Sequence, residues 1–273
     1  MSEVVSTVKR DYIVTLVKSG KRIDGRAFDE YRPMSISLGF AGKAEGSAMV
    51  SLGDTRVLVG IKADVGAPYP DTPDKGVLIT NAEFVPLASP TFEPGPPDEN
   101  AIELARVVDR GVRSSNAVEL EKLVVKEGEK VWVLFADIWV LNHDGNLFDA
   151  SSIGLIAALL NTRIPRVELE DDKVKVKEEW VPLPVKKVPV SVTIAKVGDQ
   201  LLVDPCLDEE EVMEGRITIT LDDDGNVCAI QKGPGEFAIE DIYKALEIAS
   251  KVAPRVREKV LEVVRGAAKG KPD

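Results

Sequence analysis

A chain of 273 residues, 44% apolar and 30% charged, has enough apolar side chains for two modest folded halves, and this composition excludes a disordered chain. Its 35 basic against 46 acidic residues, net −11, exclude a general nucleic-acid binder with a basic surface all over. One histidine, His143, rules out a His-Ser triad or a His-rich metal centre within the chain; two cysteines, Cys206 and Cys228, are too few for a disulfide framework and wrongly spaced for zinc.

Residues 1–20 predict an amphipathic leading helix: Val4, Val8, Tyr12, Ile13 and Leu16 recur near helical spacing, and Gly20 can cap it. A turn-like run, Lys21 to Arg26, follows. Alternation predicts strands at Arg32–Leu38, Gly46–Gly53 and Thr55–Ala63, with Gly53-Asp54 as a hairpin turn. The Pro- and Gly-rich stretch Ala67–Gly76 reads as a loop before a strand at Val77–Val85. A second Pro-rich loop, Pro86–Pro97, ends at Asp98, a good N-cap for the next helix.

A strand pair is expected at Leu123–Lys126 and Val131–Leu141. Ala150–Leu160, apolar or small almost all round, predicts a buried helix. The charged, Pro-containing stretch Val167–Val188 is the best candidate boundary. Beyond it the pattern gives strands near Val190–Lys196, Gln200–Asp204, Arg216–Leu221 and Asn226–Gln231, with Asp223-Asp224-Gly225 as the last turn. The end is helical from Ile239 to Arg265, interrupted or restarted near Pro254. Strands followed by helices in each half indicate the α+β class, organised as an N-terminal helix and arm (1–30), a first domain (31–166) and a second domain (189–268). No apolar leader and no run near the ~20 apolar residues of a membrane span is present, so the expectation is a soluble, cytoplasmic protein without a membrane role.

The helix opening at Asp98 is the most informative element on physics alone. Ala101, Leu104, Ala105, Val108 and Val112 share one face, and Arg106, Arg110 and Arg113 the opposite one. Three guanidiniums in one column can track successive phosphates of a single strand. The plain alternative is a solvated face in which Glu99 or Glu103 of the same helix pairs with Arg106.

Arg22-Ile23-Asp24-Gly25-Arg26, followed by Glu30-Tyr31-Arg32-Pro33, resembles the RDGR…E-x-RP opening of the RNase PH family. Gly46-Ser47-Ala48 with Ser51-Leu52-Gly53-Asp54-Thr55 resembles its G-S-A…G-x-T hairpin. The stretch Asn100 to Arg110 is similar to the non-catalytic RNase PH-like subunits of archaeal exosomes, and the likeness runs from about Arg22 to the C-terminal helix. It implies the RNase PH fold, two parts related to the second domain of ribosomal protein S5. It also implies single-stranded RNA as ligand and a catalytic RNase PH-like exosome subunit as partner, in a hetero-hexameric ring built as a trimer of dimers. RNA-binding cap proteins are further implied partners; no cofactor and no metal is expected. Arg106 and Arg110 match helix arginines that bind RNA near the partner's active site; Arg113 is added on geometry.

Catalytic relatives hold phosphate with a Gly-Thr-Arg sequence at the start of the buried helix, where free amides and the dipole favour an anion. Here Leu147 and Phe148 stand in place of the Thr and Arg, and Asp149, the expected N-cap, would repel phosphate. The family's acidic motif keeps Asp204, but has Glu210 six residues on and a charge reversal at Arg216; Asp208 to Glu211 read as a solvated acidic turn. No catalytic residue is therefore expected. The alternative is an active phosphate-dependent 3'→5' exoribonuclease working as a homo-oligomer, with the retained Asp204 at its centre.

Overall fold

A computed structural model describes residues 7–170 and 173–269; residues 1–6 of the predicted leading helix lie outside the described part. The first helix, α1, is Thr7–Lys18, and it buries Ile13 and Val17. A long arm leads to β1 (Met34–Leu38), β2 (Gly46–Leu52), β3 (Thr55–Gly66) and β4 (Val77–Phe84). After the second Pro-rich loop come α2 (Glu99–Ser114), β5 (Val124–Lys126), β6 (Lys130–Asn142) and α3 (Leu147–Asn161). These strands form one sheet in the order β1-β2-β3-β6-β4, with β5 added beside β6. All pairings are antiparallel except β4 with β6, whose crossover is α2.

The second half carries β9 (Val190–Val197), β10 (Gln200–Val203), a short α4 (Leu207–Val212), β11 (Gly215–Leu221), β12 (Val227–Gly235) and α5 (Ile239–Lys269), after a hairpin of β7 (Arg163–Glu170) and β8 (Lys173–Pro182). Its sheet is antiparallel throughout, in the order β10-β9-β11-β12. The architecture is α+β. The charged stretch expected as a boundary carries the β7–β8 hairpin. One feature departs from the sequence reading: α5 runs unbroken through Pro254. A helix-interior proline costs about 3 kcal/mol. The buried row Ala245, Ala249, Val252, Ala253, Val256 and Val260 outweighs it by docking the helix along its length. Arg257 adds a buried clasp, donating from Nε to the Val188 carbonyl and from Nη2 to the carbonyls of Leu221 and Asp222.

α3 is the hub. Every residue from Leu147 to Leu159 is buried, as its all-round apolar and small composition predicts, and it packs on β2 and β3 on one side and on β9 and α5 on the other. One continuous core therefore unites both sheets.

The second tie between the halves is polar. The arm sends Arg22, Arg26 and Arg32 into the turn that follows β10. Arg22 grips Glu209 of α4 through Nε (2.9 Å) and Nη2 (2.6 Å), both side chains fully buried, and also donates to the carbonyls of Val203 and Asp204. Arg32 forks onto the Asp204 carboxylate from Nε (3.0 Å) and Nη2 (2.8 Å) and adds its backbone N–H (2.8 Å). Arg26 reaches the same carboxylate at 3.0 Å. The run expected to be a solvated acidic turn is thus a helix whose Glu209 is buried and paired.

Removing one partner of a buried ion pair strands the other charge, so Arg22→Met should cost about 3–5 kcal/mol in chemical denaturation. The double variant Arg22→Met with Glu209→Leu should recover a large part of that loss. Equal losses in single and double variants would mean that the carbonyl bonds of Arg22, not its ion pair, hold the arm.

Candidate nucleic-acid interface and closed anion site

Asp98 caps α2 as its sequence position predicts, accepting from the Ala101 N–H at 2.8 Å. Leu104, Ala105, Val108 and Val112 are buried, which leaves Arg106, Arg110 and Arg113 on the exposed side. The three arginines differ in how free they are. The Arg106 side chain makes no hydrogen bond or ion pair among the described residues. Arg110 donates once, to Gln231 Oε1 of β12 at 3.2 Å. Arg113 is engaged: Nε and Nη2 hold Asp109 one turn back at 2.9 and 3.1 Å, and Nη2 also donates to the Leu78 carbonyl. Glu103 does not pair with Arg106. It accepts from Arg216 of β11 (3.1 Å) and from Gln231 (3.3 Å) instead.

Arg216 also reaches the N-terminus of α3, where its guanidinium lies over the Phe148 ring. The cap of α3 is Asn146, not Asp149: Asn146 takes the left-handed conformation (φ +49°) and accepts from the Asp149 N–H. Asp149 turns inward, fully buried, and accepts from Tyr31 Oη (2.6 Å), the Thr193 N–H (2.9 Å), Thr193 Oγ1 (2.8 Å) and Asn146 Nδ2 (2.9 Å). Burial raises its pKa to about 6 despite those donors. The sequence signal for the true cap was present, since asparagine both caps and tolerates positive φ. What the sequence could not show is that Thr193 and Tyr31 would claim the aspartate.

A carboxylate does sit at that helix end, from elsewhere. Glu210 Oε1 accepts from the Asn146 N–H at 2.8 Å, and burial pushes its pKa up to about 7. Phe148 carries the Arg216 guanidinium over its ring at 4.2 Å. In front lies a cleft of about 250 Å³ lined by Phe84, Phe92, His143, Phe148, Glu210 and Arg216. His143 stacks on Phe92 with 5.5 Å between ring centroids, and burial holds its pKa down near 4, so it is neutral at physiological pH. Gly145 allows the whole turn to close: its φ is +85°, and a Cβ there would lie 2.5–2.6 Å from the backbone of residues 205–207.

Asp204, retained from the family's acidic motif, is not open to a ligand. Its carboxylate is fully buried under Arg26, Arg32 and Asn146 Nδ2 (2.7 Å). Among the described residues no three His, Cys, Asp or Glu side chains are disposed to hold a metal ion, and no described helix is long and apolar enough to cross a membrane.

The chain matches the models of domain 1 of the 3' exoribonuclease family over residues 30–165 and of domain 2 over residues 187–252. It is 58% identical to the exosome complex component Rrp42 of Thermococcus kodakarensis over 265 residues, 96% of this chain and 97% of that protein. It is 55% identical to the Rrp42 of Pyrococcus furiosus, covering 97% of each. Among solved structures, a chain of the Archaeoglobus fulgidus exosome with RNA bound to the active site superposes with a TM-score of 0.87 at 53% identity, covering 94% of this chain and 99% of that one. Rice Rrp46, at 18% identity and a TM-score of 0.69, shares the fold. The arginine-bearing arm, the two sheets around one buried helix and these likenesses agree: the chain belongs to the 3' exoribonuclease family, the RNase PH family.

Proposed function

We propose that this chain is a non-catalytic ring subunit of an archaeal exosome, a hexameric 3'→5' phosphorolytic exoribonuclease. In that reading it presents Arg106 and Arg110 to single-stranded RNA and braces the active site of a catalytic RNase PH-like partner. The ring is a trimer of dimers that receives RNA from cap proteins. One observation carries the proposal: the place where the family binds phosphate is filled by the chain's own groups, while no side chain among the described residues pairs with Arg106 on α2.

Phosphorolysis needs an anion held in line with the scissile bond, with its charge met by preorganised donors. At the start of α3 one such donor, the Asn146 N–H, already serves Glu210. The Thr and Arg of the catalytic pattern are Leu147 and Phe148, and the guanidinium stacked on Phe148, that of Arg216, is turned toward Glu103. An arriving phosphate would face a carboxylate and an aromatic ring. The α2 face has the opposite character. Among the described residues Arg106 is exposed and unpartnered, Arg110 has one neutral contact, and Arg113 adds charge at the end of the row while its fork stays on Asp109. The reading of Asp204 as the centre of an independent enzyme loses its support, because that carboxylate is consumed by the arm.

Three outcomes test the proposal. In a phosphorolysis assay on labelled single-stranded RNA with inorganic phosphate, the purified chain alone should be silent, and its mixture with the catalytic partner strongly active. Phosphate-dependent cleavage by the chain alone would overturn the proposal. In the assembled complex, Arg106→Glu with Arg110→Glu should weaken RNA binding by roughly 100-fold, the loss of two charge-assisted contacts plus repulsion. Unchanged affinity would instead mark a scaffold that binds proteins only. The third outcome concerns Glu210. Its raised pKa means that the folded chain holds this proton more tightly than the unfolded one. The associated stability is present below about pH 4.5 and is lost as pH rises toward about 7. Glu210→Gln removes that dependence, so the melting temperature of the variant relative to the natural chain should climb between pH 4 and pH 8. A flat difference would show that folding does not shift the titration of Glu210.

A further inference from the structure

Arg216 is the residue at which this chain reverses a charge in the family's acidic motif, and its surroundings assign it a use. Its guanidinium is held flat between two surfaces. On one side is the Phe148 ring, 4.2 Å from the guanidinium carbon to the centroid. On the other is Gly233 of β12, where a Cβ would lie 2.9 Å from Nε, 3.0 Å from Nη2 and 3.2 Å from the guanidinium carbon. A side chain at residue 233 would push the guanidinium out of this slot. Nε is buried in the slot without a partner, and Nη2 is the atom that emerges, 3.1 Å from Glu103 Oε1.

Glu103 is placed to do harm. It precedes Arg106 by three residues on the same helix, the spacing at which opposite charges pair. A glutamate there, left to itself, would fold onto Arg106 and cancel the one arginine of the row that has no other partner. It does not, because Arg216 and Gln231 Nε2 both hold its Oε1. Gln231 in turn accepts from Arg110 through its own Oε1. A single polar chain, Arg216–Glu103–Gln231–Arg110, therefore runs from the closed anion site to the exposed arginine face.

We propose that Arg216 is a positioning residue for RNA binding: by holding Glu103 away from Arg106 it keeps that arginine free to meet a phosphate, and through Gln231 it steadies Arg110. Arg216 itself, with 12% of its side chain exposed, does not touch the RNA. The inference rests on the reading that Arg106 and Arg110 contact RNA. It gives the lost catalytic centre a second use, since the ring that replaces a phosphate-binding arginine becomes the seat for the arginine that guards the neighbouring helix.

The test measures single-stranded RNA affinity of the assembled ring at several salt concentrations, comparing the natural chain with Arg106→Ala, Arg216→Met, Glu103→Gln and the double variant Arg216→Met/Glu103→Gln. Arg106→Ala should weaken binding roughly tenfold, the effect of one charge-assisted contact. Arg216→Met should reproduce most of that loss and lower the slope of log affinity against log salt by about 0.7, the value of one phosphate contact on a single strand. Glu103→Gln should tighten binding slightly, and the double variant should match it, because with no carboxylate to restrain Arg216 has nothing left to do. A loss in Arg216→Met that Glu103→Gln fails to rescue would overturn the inference in favour of a merely structural role. Full affinity in Arg216→Met beside a clear loss in Arg106→Ala would overturn it while sparing the RNA-binding reading. Full affinity in Arg106→Ala would remove that reading itself. Should Arg216→Met fail to assemble, Arg216→Gln, a neutral side chain of intermediate length, takes its place in the same comparison.

Discussion

The fold turns on one buried negative charge. Asp204 lies at the end of β10 in the left-handed region (φ +51°), fully enclosed, and a carboxylate in that position is tolerable only if donors surround it. Arg26 and Arg32 come from the arm, the Arg32 backbone N–H joins them, and Asn146 closes the set from the head of α3. Three parts of the chain far apart in sequence must therefore arrive together. The same arm sends Arg22 to Glu209, so α4 is fixed as well. The opening motif that marks the family is in this chain a device for joining the two halves.

That junction decides what α3 can offer. Asn146 faces the Asp204 carboxylate with its side chain and Glu210 with its N–H, and Gly145 lets the backbone pass against residues 205–207 without collision. A helix N-terminus normally presents free amides and a partial positive charge to whatever anion arrives. Here the acceptor is internal: the Glu210 carboxyl takes the Asn146 N–H. The neutral His143 and the Phe84 and Phe92 rings beside it make the entrance less polar still. Closure is thus a consequence of packing the two halves together as well as of two substitutions.

Much of this was legible in the sequence, and the rest failed for identifiable reasons. The uniform apolar and small character of residues 150–160 can only suit a helix covered on all sides, and the Gly53-Asp54 turn between alternating runs can only suit a hairpin. The arginine row on α2 was equally plain from its period. By contrast, a local rule placed the cap at Asp149, and tertiary donors at Thr193 and Tyr31 withdrew it. A local rule broke the last helix at Pro254, and docking along its length restored it. Glu209 read as solvated because its partner, Arg22, lies 187 residues away. Pairing of that kind has no signature within a window of neighbouring residues, and the same blindness applied to Glu103, whose nearest sequence partner was Arg106 and whose actual partner is Arg216.

A net charge of −11 is therefore compatible with a polyanion docking on α2. At physiological ionic strength fields from exposed charges fade over about 8 Å, so the outer acidic surface is largely invisible to a phosphate seated on α2. What counts is whether any acid within that range is unmatched. Of the acids on α2, Asp109 is matched by Arg113 and Glu103 by Arg216, and Glu99 lies two turns before Arg106. The helix itself grades the row. Its C-terminal carbonyls make the last turn partly negative, which suits Arg113 as an internal cap and makes that end the poorest place for phosphate. Arg106 sits near mid-helix, clear of that field and clear of its own glutamate. The strongest anion contact is therefore expected at Arg106, where the sequence left a cancelled charge as the alternative.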